Sequence, residues 1–524
     1  MTSTHRCGTL AAATSALLVM SGCAMVNPKP DYERAGKTIS DATGSDSFFQ
    51  PGEDDVGTKR VRGLLQAGIT CDEAVQICLI NNPTLQAAFF EIGFARADVV
   101  QSGLFSNPSL ALSVAFPEGG GRSNIQATFA QNIVDLWQIP IRKRSSQRLL
   151  DAAILDVARQ ASQLAVDTRS AYFTAVAADQ ALLIAKENVG IAEQLLEAAK
   201  ARQQAGAVGE LDVNLARGAV YSAELEMQRA RLDDGTARRR LAILLGLTEA
   251  AEELQLTTNA LLPPMVDLDA EQIVQIALGS RLDVQSARME SEAKRQRINL
   301  EIAKILPEFS IGFYEERSER RALPGRKIPA DTARASIAAG ALTAPEIQSR
   351  GQRNRERSQI IDNIFGPAFN LTLPIFDQNQ AQIAKARFAY EQSALQLDAL
   401  EKTVIQAVRQ GVDAAQTSRK VAAYFHEKML PQAQANLDLS RQSYQAGRAS
   451  LIVLLDAQRI LLATRRDAVI ADRESAITWA ELERLTARPL PTLLESSSPT
   501  SRPVAEAAPP IFEPPTLTRQ GAQP

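Results

Sequence analysis

The sequence contains few side chains in settings that suit catalysis. Its two histidines are His5, near the start of the chain, and His426, in the middle of a long helical pattern. Asp233-Asp234-Gly235 has the beginning of a calcium loop, but no further ligands follow at the spacing that such a loop requires. The sequence has no phosphate-binding glycine loop, no metal-spaced His/Cys cluster and no nucleophile elbow. We therefore predict no enzyme activity, no cofactor and no metal site, so that any energy for the protein's work comes from a partner.

The most direct sign of chemistry is at the N-terminus. A short apolar segment ends in Met20-Ser21-Gly22-Cys23, which places small residues directly before a cysteine, as a bacterial lipobox does. We predict a signal peptide over residues 1–22 and a lipid on Cys23. The alternative is an ordinary cleaved signal peptide with an incidental cysteine. The residue after the cysteine is Ala24 and not Asp, which resembles the sorting signal of lipoproteins that go to the outer membrane.

Two further cysteines fit a structural role. Cys71 and Cys78 are seven residues apart near the start of a predicted helix, where Thr70 and Glu73 form a capping box. Seven helical residues separate the two sulfur atoms by about 10 Å, which is too far for a disulfide. We predict that both cysteines are buried small apolar groups and not ligands.

The composition argues against two other classes of protein. The net charge of -3 gives no bulk attraction to nucleic acid, so no nucleic-acid partner is predicted. Beyond the N-terminus no run of about 18 apolar residues occurs, which argues against a helical membrane protein. Residues 23–69 are polar and contain Pro28, Pro30 and Pro51, so we predict a lipidated linker over the protein surface. Residues 487–524 are rich in Pro, Ser and Thr and predict a disordered tail.

Between these ends the chain contains two copies of one unit, which we assign to residues 70–260 and 261–486. In each copy, segments of alternating apolar and polar residues predict two strands, and long periodic segments predict two helices. The first copy has strands at about 107–116 and 124–134 and helices at about 138–204 and 210–246. The second copy has strands at about 308–315 and 367–376 and helices at about 378–446 and 451–485. The longest helices would extend roughly 100 Å.

A charged segment, residues 318–364, separates the two strands of the second copy. Inside a compact domain so long an insertion would count against the strand assignment, but at the outer mouth of a membrane barrel it is ordinary. It predicts either a lid or surface-interaction loop, or simply a solvated charged loop.

The four predicted strands have the alternation of an outer-membrane barrel, with aromatic residues such as Phe116, Phe309 and Phe376 in or beside them. A soluble antiparallel sheet with one buried face is the alternative. In lipid a four-stranded sheet cannot leave its edges open, so several chains must contribute strands to one closed barrel. The Ala-rich faces of the long helices bury little area singly, so these helices also need neighbouring chains.

The ordered part of the chain resembles the TolC-type outer-membrane factors. The resemblance rests on the duplicated order of elements and on four short motifs: Asn81-Asn82-Pro83-Thr84-Leu85, Leu373-Pro374-Ile375-Phe376, Gly206 to Asp212-Val213, and Tyr444-Gln445-Ala446-Gly447 through Leu454-Leu455-Asp456-Ala457-Gln458. It implies a mixed α/β membrane protein with two internal repeats. That protein is a homotrimer whose 12-stranded transmembrane β-barrel, with four strands per chain, continues into a long α-helical coiled-coil tunnel in the periplasm.

The implied function is that of an outer-membrane exit channel in a tripartite efflux complex. Such a channel passively conducts solutes that an inner-membrane RND-type transporter delivers through a periplasmic adaptor, also called a membrane fusion protein. Outer-membrane lipid surrounds its barrel. A lipidated Cys23 resembles the drug- and metal-efflux branch of the family more than the non-lipidated secretion branch. The alternatives are the channel of a type I protein secretion system and a periplasmic coiled-coil scaffold that never enters the membrane.

The resemblance places the closed end of the tunnel at two helix-to-helix turns, residues 204–209 and 446–450, where glycine permits a tight reversal. It implies that the adaptor docks on these turns. The predicted docking residues are Gly206, Gly209, Gly447 and Ser450.

In related factors, apolar and acidic side chains just after the second turn narrow the pore, and by position these are Ile452 and Asp456. Three-fold symmetry would bring their copies together. Like charges there would repel one another and attract cations, so an acidic ring would filter solutes and help to open the gate. The alternative is that Asp456 pairs with Arg448 or Arg459. Opening would be an iris-like movement of the second helix pair, stabilised by adaptor binding.

Overall fold

Long helices joined to a small sheet make up most of the molecule. A computed structural model describes residues 25–52, 54–66, 68–116, 123–248, 254–257, 263, 268–305, 308–319, 337, 339–340 and 361–489. The predicted signal peptide, Cys23, most of the loop 318–364 and all but the first three residues of the predicted tail lie outside these described residues.

In the first half of the chain, short helices lead into two strands and the strands lead into two long helices. The elements are α1 (Lys29–Thr43), α2 (Asp54–Leu65), α3 (Cys71–Asn81), α4 (Pro83–Ser102), β1 (Ser109–Ala115), β2 (Asn124–Asn132), α5 (Asp135–Gln204) and α6 (Glu210–Leu244). The predicted capping box is present: the Glu73 N–H donates to the Thr70 hydroxyl, and the Thr70 N–H donates to the Glu73 carboxylate. Helix α5 has 70 residues, so it extends about 105 Å.

The second half of the chain repeats this order. Its elements are α7 (Ala270–Ser280), α8 (Leu282–Ala303), β3 (Phe309–Glu319), β4 (Ile361–Leu371), α9 (Gln380–Tyr424), a π-helical turn (Phe425–Met429), α10 (Leu430–Gln445) and α11 (Leu451–Thr486). Corresponding helices have nearly equal lengths: 11 residues in both α3 and α7, 20 and 22 in α4 and α8, and 35 and 36 in α6 and α11. Such agreement is what duplication of one unit would produce.

The four strands form one antiparallel sheet in the order β1-β2-β3-β4, so the second hairpin pairs with the first. The register aligns Leu110 with Phe129, Phe129 with Phe313 and Phe313 with Pro367. Because alternate residues of a strand point to opposite sides, the register collects apolar side chains on one face: Leu110, Leu112, Val114, Ile125, Phe129, Ile311, Phe313, Phe365 and Phe369. The opposite face carries mainly polar side chains: Ser113, Gln126, Thr128, Asn132, Ser310, Tyr314, Glu316 and Asn370.

The sheet is tightest where the two halves of the chain meet and open at both edges. A Cβ atom on Gly312 of β3 would lie 1.8 Å from the carbonyl oxygen of Phe129 on β2, so only glycine fits at this crossing. Within the described part of the chain, β1 and β4 have a neighbouring strand on one side only. In lipid such open edges would have to pair with strands of neighbouring chains.

Below the sheet the helices lie side by side as a wall. Near the sheet the order is α4, α5, α8 and α9; further away, where α6 and α11 return, it is α6, α5, α11 and α10. Hydrogen bonds link neighbours: the Ser145 hydroxyl donates to the Ala293 carbonyl, and the Ser393 hydroxyl donates to that of Ser291. The edge helices expose large apolar side chains: Phe94, Tyr221, Leu232, Phe388, Leu395 and Leu439. Each edge of the wall therefore requires a helix of another chain to cover these side chains.

The prediction that residues 23–69 form a surface linker is wrong for the described part of that segment. Ala35, Ile39 and Phe49 are buried among side chains of α4 and α5. Asp31 is only 1% exposed and accepts hydrogen bonds at 2.5 and 2.6 Å from the guanidinium group of Arg96. The polar composition concealed a narrow apolar stripe at helical spacing, which packs against the wall.

The structure also corrects the ends of the strands. β3 continues to Glu319, beyond the predicted end near residue 315, and β4 spans Ile361–Leu371, where residues 367–376 were predicted. The charged side chains of β3 indicated a loop, but pairing with both neighbours keeps them in the sheet. At the other end, β4 stops at Leu371, so the predicted strand residues 372–376 lie outside the sheet.

The predicted continuous helix 378–446 is interrupted by the π-helical turn. The N–H of Leu430 donates to the carbonyl of Phe425, five residues earlier, and Pro431 follows without an N–H group. In the same turn, Nε2 of His426 lies 2.9 Å from both carboxylate oxygens of Asp472 on α11. His426 therefore links two helices.

Candidate functional site

The two helix-to-helix turns at the far end of the wall have the same backbone geometry. Gly206 and Gly447 have φ values of 70° and 72°, in the left-handed region that favours glycine. In both turns the next residue donates its N–H to a carbonyl five residues earlier, from Ala207 to Arg202 and from Arg448 to Ser443, at 2.9 Å. This hydrogen bond closes the helix end in the Schellman manner, which explains why both copies of the sequence carry glycine.

The other two predicted docking residues precede the returning helices. Gly209 and Ser450 both have extended backbones, with φ and ψ of -85° and 171° in one and -78° and 159° in the other. Any residue adopts such a conformation, so the backbone does not require glycine at position 209. All four predicted docking residues are exposed and lie in the two turns, where a partner can reach them.

One buried cluster supports both turns. Its members are Ala199, Val213, Ala216, Tyr444, Leu451 and Leu454, which come from both helical hairpins. The small side chains on α5 and α6 let the second hairpin approach closely, so a change at one turn is felt at the other.

Arg202 and Tyr444 make a direct contact between the hairpins that the sequence analysis did not predict. The Arg202 guanidinium carbon lies 4.5 Å from the centre of the Tyr444 ring, and Nη1 donates to the Tyr444 carbonyl at 3.3 Å. The Tyr444 hydroxyl is buried and has no hydrogen-bond partner in the described structure. The only hint in the sequence is that each residue stands a few positions before the glycine of its own turn.

The two predicted gate residues share one exposed face of α11. Ile452 is 60% exposed, whereas its neighbours Leu451 and Leu454 are buried. Asp456 follows one turn later, and its carboxylate accepts a hydrogen bond at 3.0 Å from Arg459 on the same helix. Of the two arginine partners considered from the sequence, Arg459 is therefore the one that pairs.

A second link between the hairpins lies further from the turns. Gln458 is 6% exposed, and its side-chain amide donates to Oδ1 of Asn188 on α5 at 3.1 Å. The polar residue predicted to belong to the tip motif thus faces the neighbouring hairpin, while Asp456 two positions earlier faces away from it.

Two buried carboxylates hold the junction between the sheet and the helices. Asp135 accepts hydrogen bonds from the N–H and hydroxyl of Ser106 at 2.7 and 2.6 Å and from Arg142 at 3.0 Å. Burial alone would raise the pKa of Asp135, but these donors outweigh it and hold the pKa below its ordinary value. In the second half, burial and the donors Asn379, Lys304 and Arg297 act in the same way on Glu301, whose pKa is also lowered.

The two described cysteines are free thiols, as predicted, with Cys78 fully buried and Cys71 partly buried. Burial is the largest cause that raises the pKa of each thiol to about 12. Neither thiol is therefore ionised at neutral pH.

Among the residues that the structure describes, no group of three or more His, Cys, Asp and Glu side chains is arranged to hold a metal ion. None of the helices in the described ranges has the length and apolarity needed to span a membrane.

A four-stranded sheet with open edges, joined to helices of about 100 Å that end in paired glycine turns, defines a barrel-and-tunnel channel built from several copies of the chain. Residues 74–247 and 273–488 match the family model described as outer membrane efflux protein. The chain belongs to the outer membrane efflux protein family.

Individual relatives match most of this chain, but at low sequence identity. The cobalt-zinc-cadmium resistance protein CzcC of Cupriavidus metallidurans is 23% identical over 427 residues, which are 80% of this chain and 90% of that protein. The outer membrane protein TolC of Escherichia coli is 22% identical over 406 residues, 75% of this chain and 77% of its own. The crystal structure of CusC has a TM-score of 0.61 at 18% identity and covers 80% of this chain and 91% of CusC. The Campylobacter jejuni CmeC outer membrane channel has a TM-score of 0.61 at 17% identity, and the match covers 82% of this chain and 89% of CmeC.

These findings confirm the predicted fold class, location and function. The protein is a trimeric outer-membrane channel in which a β-barrel continues into a periplasmic helical tunnel. It belongs with the outer-membrane channels of tripartite efflux systems, which excludes the non-membrane scaffold considered from the sequence. The family and the fold are those of channels rather than enzymes, and members of the family are homotrimers that work with adaptors and inner-membrane pumps.

Proposed function

We propose that the hairpin tips of this chain form both the closed end of the channel and the surface on which a periplasmic adaptor docks. One observation carries the proposal. Two exposed glycine turns of equal geometry stand on one buried cluster, and Ile452 and Asp456 are exposed on the helix that returns from the second turn. Three-fold symmetry repeats every such residue three times around one axis.

In this proposal Ile452 and Asp456 narrow the pore. Ile452 supplies an apolar ring, and Asp456 one turn above it supplies an acidic ring that attracts cations and repels itself. Arg459 moderates the repulsion because it pairs with Asp456 within the same helix. That pair is exposed, so it is weak and leaves most of the carboxylate's charge free to act on solutes.

The contact between Arg202 and Tyr444 holds the second hairpin against the first. Moving the second hairpin outwards would separate the guanidinium from the ring and break its bond to the Tyr444 carbonyl. A cation over an aromatic ring contributes from about 0.5 to 2 kcal/mol, which is small enough for a docked adaptor to offset. We infer that adaptor binding selects the open arrangement by its higher affinity for it.

The proposed docking residues are Gly206, Gly209, Gly447 and Ser450, and the proposed partners are an adaptor and an RND-type pump. Cysteine placed at position 450 should form a cross-link with the adaptor, whereas cysteine at the exposed Lys420, on α9 away from the turns, should not. Cross-linking at both positions, or at neither, would contradict docking at the turns.

We also propose that Cys23 carries an acyl anchor. The path of α1 supports this, because Arg34 near its start bonds to Asp151 and Thr43 at its end accepts a bond from Arg169. Helix α1 thus runs along α5 away from the sheet, and Asp151 lies about 24 Å from the start of α5. The residues between Cys23 and α1 can span up to roughly 20 Å, which brings the acyl chain near the membrane.

We further propose that residues 70–260 and 261–486 are duplicated units, on the strength of their matching helix lengths. The relatives' names refer to different cargoes, among them cobalt, zinc and cadmium for CzcC and pyoverdine for OpmQ. We propose that the pump rather than this channel selects the solute.

Ion conductance of purified trimers in planar bilayers tests the gate. Ile452→Ala should raise the conductance, and Asp456→Asn should shift the reversal potential in a salt gradient towards lower cation preference. Asp438→Asn is the control, because Asp438 is an exposed carboxylate of the same hairpin, and within the described part of the chain its only hydrogen bond is the one that it accepts from Gln434. Equal shifts in the two Asp variants would show that the acidic ring is not at position 456.

A further inference from the structure

Positive charge gathers where the long helices leave the sheet. The first ten residues of α5 contain Arg142, Lys143 and Arg144, and the first ten of α9 contain Lys385 and Arg387. These two stretches contain a single carboxylate, that of Asp135, and it pairs with Arg142. The other four cations are exposed and make no ion pair or hydrogen bond with the described residues. We call these four the basic collar: Lys143, Arg144, Lys385 and Arg387.

The collar lies at the depth of the lipid headgroups. Helix α5 begins three residues after the end of β2, and α9 begins nine residues after the end of β4. The collar lies within the first ten residues of each helix, which is about 15 Å of helix at the sheet end of the wall. Side chains on a helix tilt towards its N-terminus, which for α5 and α9 is the membrane end. The long stems of Lys and Arg carry their charges further in that direction.

The collar reaches both sides of the helical wall. Ala386 is buried against the neighbouring helices, and Lys385 and Arg387 flank it. Successive helix residues are about 100° apart, so these two cations leave α9 on opposite sides. One of them therefore points out of the tunnel and the other into it.

Exposed apolar side chains accompany the collar. Leu136 on α5 is 60% exposed, and Phe376, just before α9, is 92% exposed. Cations beside apolar side chains suit a partner that has both an anionic group and a hydrocarbon part. The whole chain has a net charge of -3, so the positive charge is a local feature and not a property of the composition.

We propose that the basic collar binds anionic phospholipid headgroups in the periplasmic leaflet of the outer membrane. The collar cations that point out of the tunnel repeat three times around the trimer, and each Lys or Arg near an anionic surface adds to its affinity. The inference rests on the outer-membrane location of the barrel and not on the proposed gate, so either can fail without the other. Because the cations are exposed, salt should weaken the binding.

Native mass spectrometry of the trimer, equilibrated with equal amounts of phosphatidylglycerol and phosphatidylethanolamine, tests the proposal. The collar variant combines Lys143→Gln, Arg144→Gln, Lys385→Gln and Arg387→Gln. The control removes four exposed cations, two from each half, that make no described ion pair and lie far from the sheet: Lys186→Gln, Arg231→Gln, Lys420→Gln and Lys428→Gln. The wild type and the control should retain at least threefold more phosphatidylglycerol than phosphatidylethanolamine, and the collar variant should retain the two equally.

Two results would overturn the proposal: an unchanged lipid preference in the collar variant, or complete displacement of phosphatidylglycerol by millimolar inorganic phosphate, which would mean a site for free anions. Trimer assembly is checked by the mobility of unheated samples in gels. If the fourfold variant does not assemble, Lys143→Gln with Lys385→Gln serves instead. It should lose about half of the preference, and no loss would count against the collar.

Discussion

The two helical hairpins of this channel are alike at their ends and different in the middle. Buried positions of α6 correspond to buried positions of α11 that lie 241 residues later in the chain: Val213 corresponds to Leu454, and Leu241 corresponds to Leu482. Both hairpins reverse at a glycine with φ near 70°. The positions that agree are those where the backbone must reverse or where helices touch, so the shared geometry is required by packing and backbone sterics.

The middle of the second hairpin departs from this pattern. Helix α5 is continuous over 70 residues, whereas its counterpart is divided into α9 and α10 by the π-helical turn before Pro431. A π-helical turn is a weaker point in a helix than regular α-helical structure. This difference is consistent with our proposal that the second hairpin is the one that moves. How far the two hairpins are equivalent can be tested in four ways.

The largest effect is expected from the residue that joins the hairpins at the tip. Tyr444→Ala should cost about 3–4 kcal/mol of stability, because it removes a buried ring and leaves a cavity under both turns. Tyr444→Phe should change little, since the lost hydroxyl has no hydrogen-bond partner in the described structure. Thermal unfolding of the trimer measures both. A costly Tyr444→Phe would mean that the hydroxyl has a partner in the trimer.

A smaller effect is expected where the returning helices end. Gly246 and Ala487 occupy equivalent positions after α6 and α11, with φ values of 68° and 49°. Gly246→Ala should cost about 2–3 kcal/mol, because the new Cβ would lie 2.5 Å from the Asn81 carbonyl oxygen in a conformation that disfavours it.

The reverse change in the second half, Ala487→Gly, is the matched control. It should alter stability by less than about 1 kcal/mol, since relief of the left-handed backbone offsets the loss of a buried methyl group. Thermal unfolding measures both variants. If Ala487→Gly destabilised the protein as much as Gly246→Ala does, the two positions would not be equivalent.

The glycine turns should respond equally in both hairpins. At Gly206 and Gly447 an added Cβ would meet no atom of the described residues within 4 Å apart from its own chain neighbours, so only the backbone conformation opposes alanine. Gly206→Ala and Gly447→Ala should each cost about 1–2 kcal/mol in thermal unfolding. A much larger cost at one turn would reveal a contact between chains there and would break the equivalence.

Acid should weaken the junctions of both halves through Asp135 and Glu301. Their pKa values in the folded protein lie below the ordinary values of 3.8 and 4.5, so their contribution is present above those values and is lost as the pH falls through the folded pKa values. Asp135→Asn and Glu301→Gln should lower the melting temperature at pH 7 and flatten its decline between pH 5 and about pH 3. An unchanged decline in either variant would remove that carboxylate from the explanation.

The sequence determined the features that depend on neighbouring residues. Period-two alternation gave the sheet its apolar and polar faces, and Gly206 and Gly447 gave the hairpins their turns. Both follow from backbone geometry that a short segment reveals. The order of the elements, read twice along the chain, then led to the family.

The tertiary structure decided the rest, because contacts between distant residues leave no local pattern. Arg202 donates to the carbonyl of Tyr444, 242 residues away, and nothing near either residue indicates the other. The apolar stripe of α1 shows its role only against α4 and α5, and β3 holds its charged residues only because strands pair on both sides. Which faces meet is a property of the whole packed chain, so a window of sequence cannot supply it.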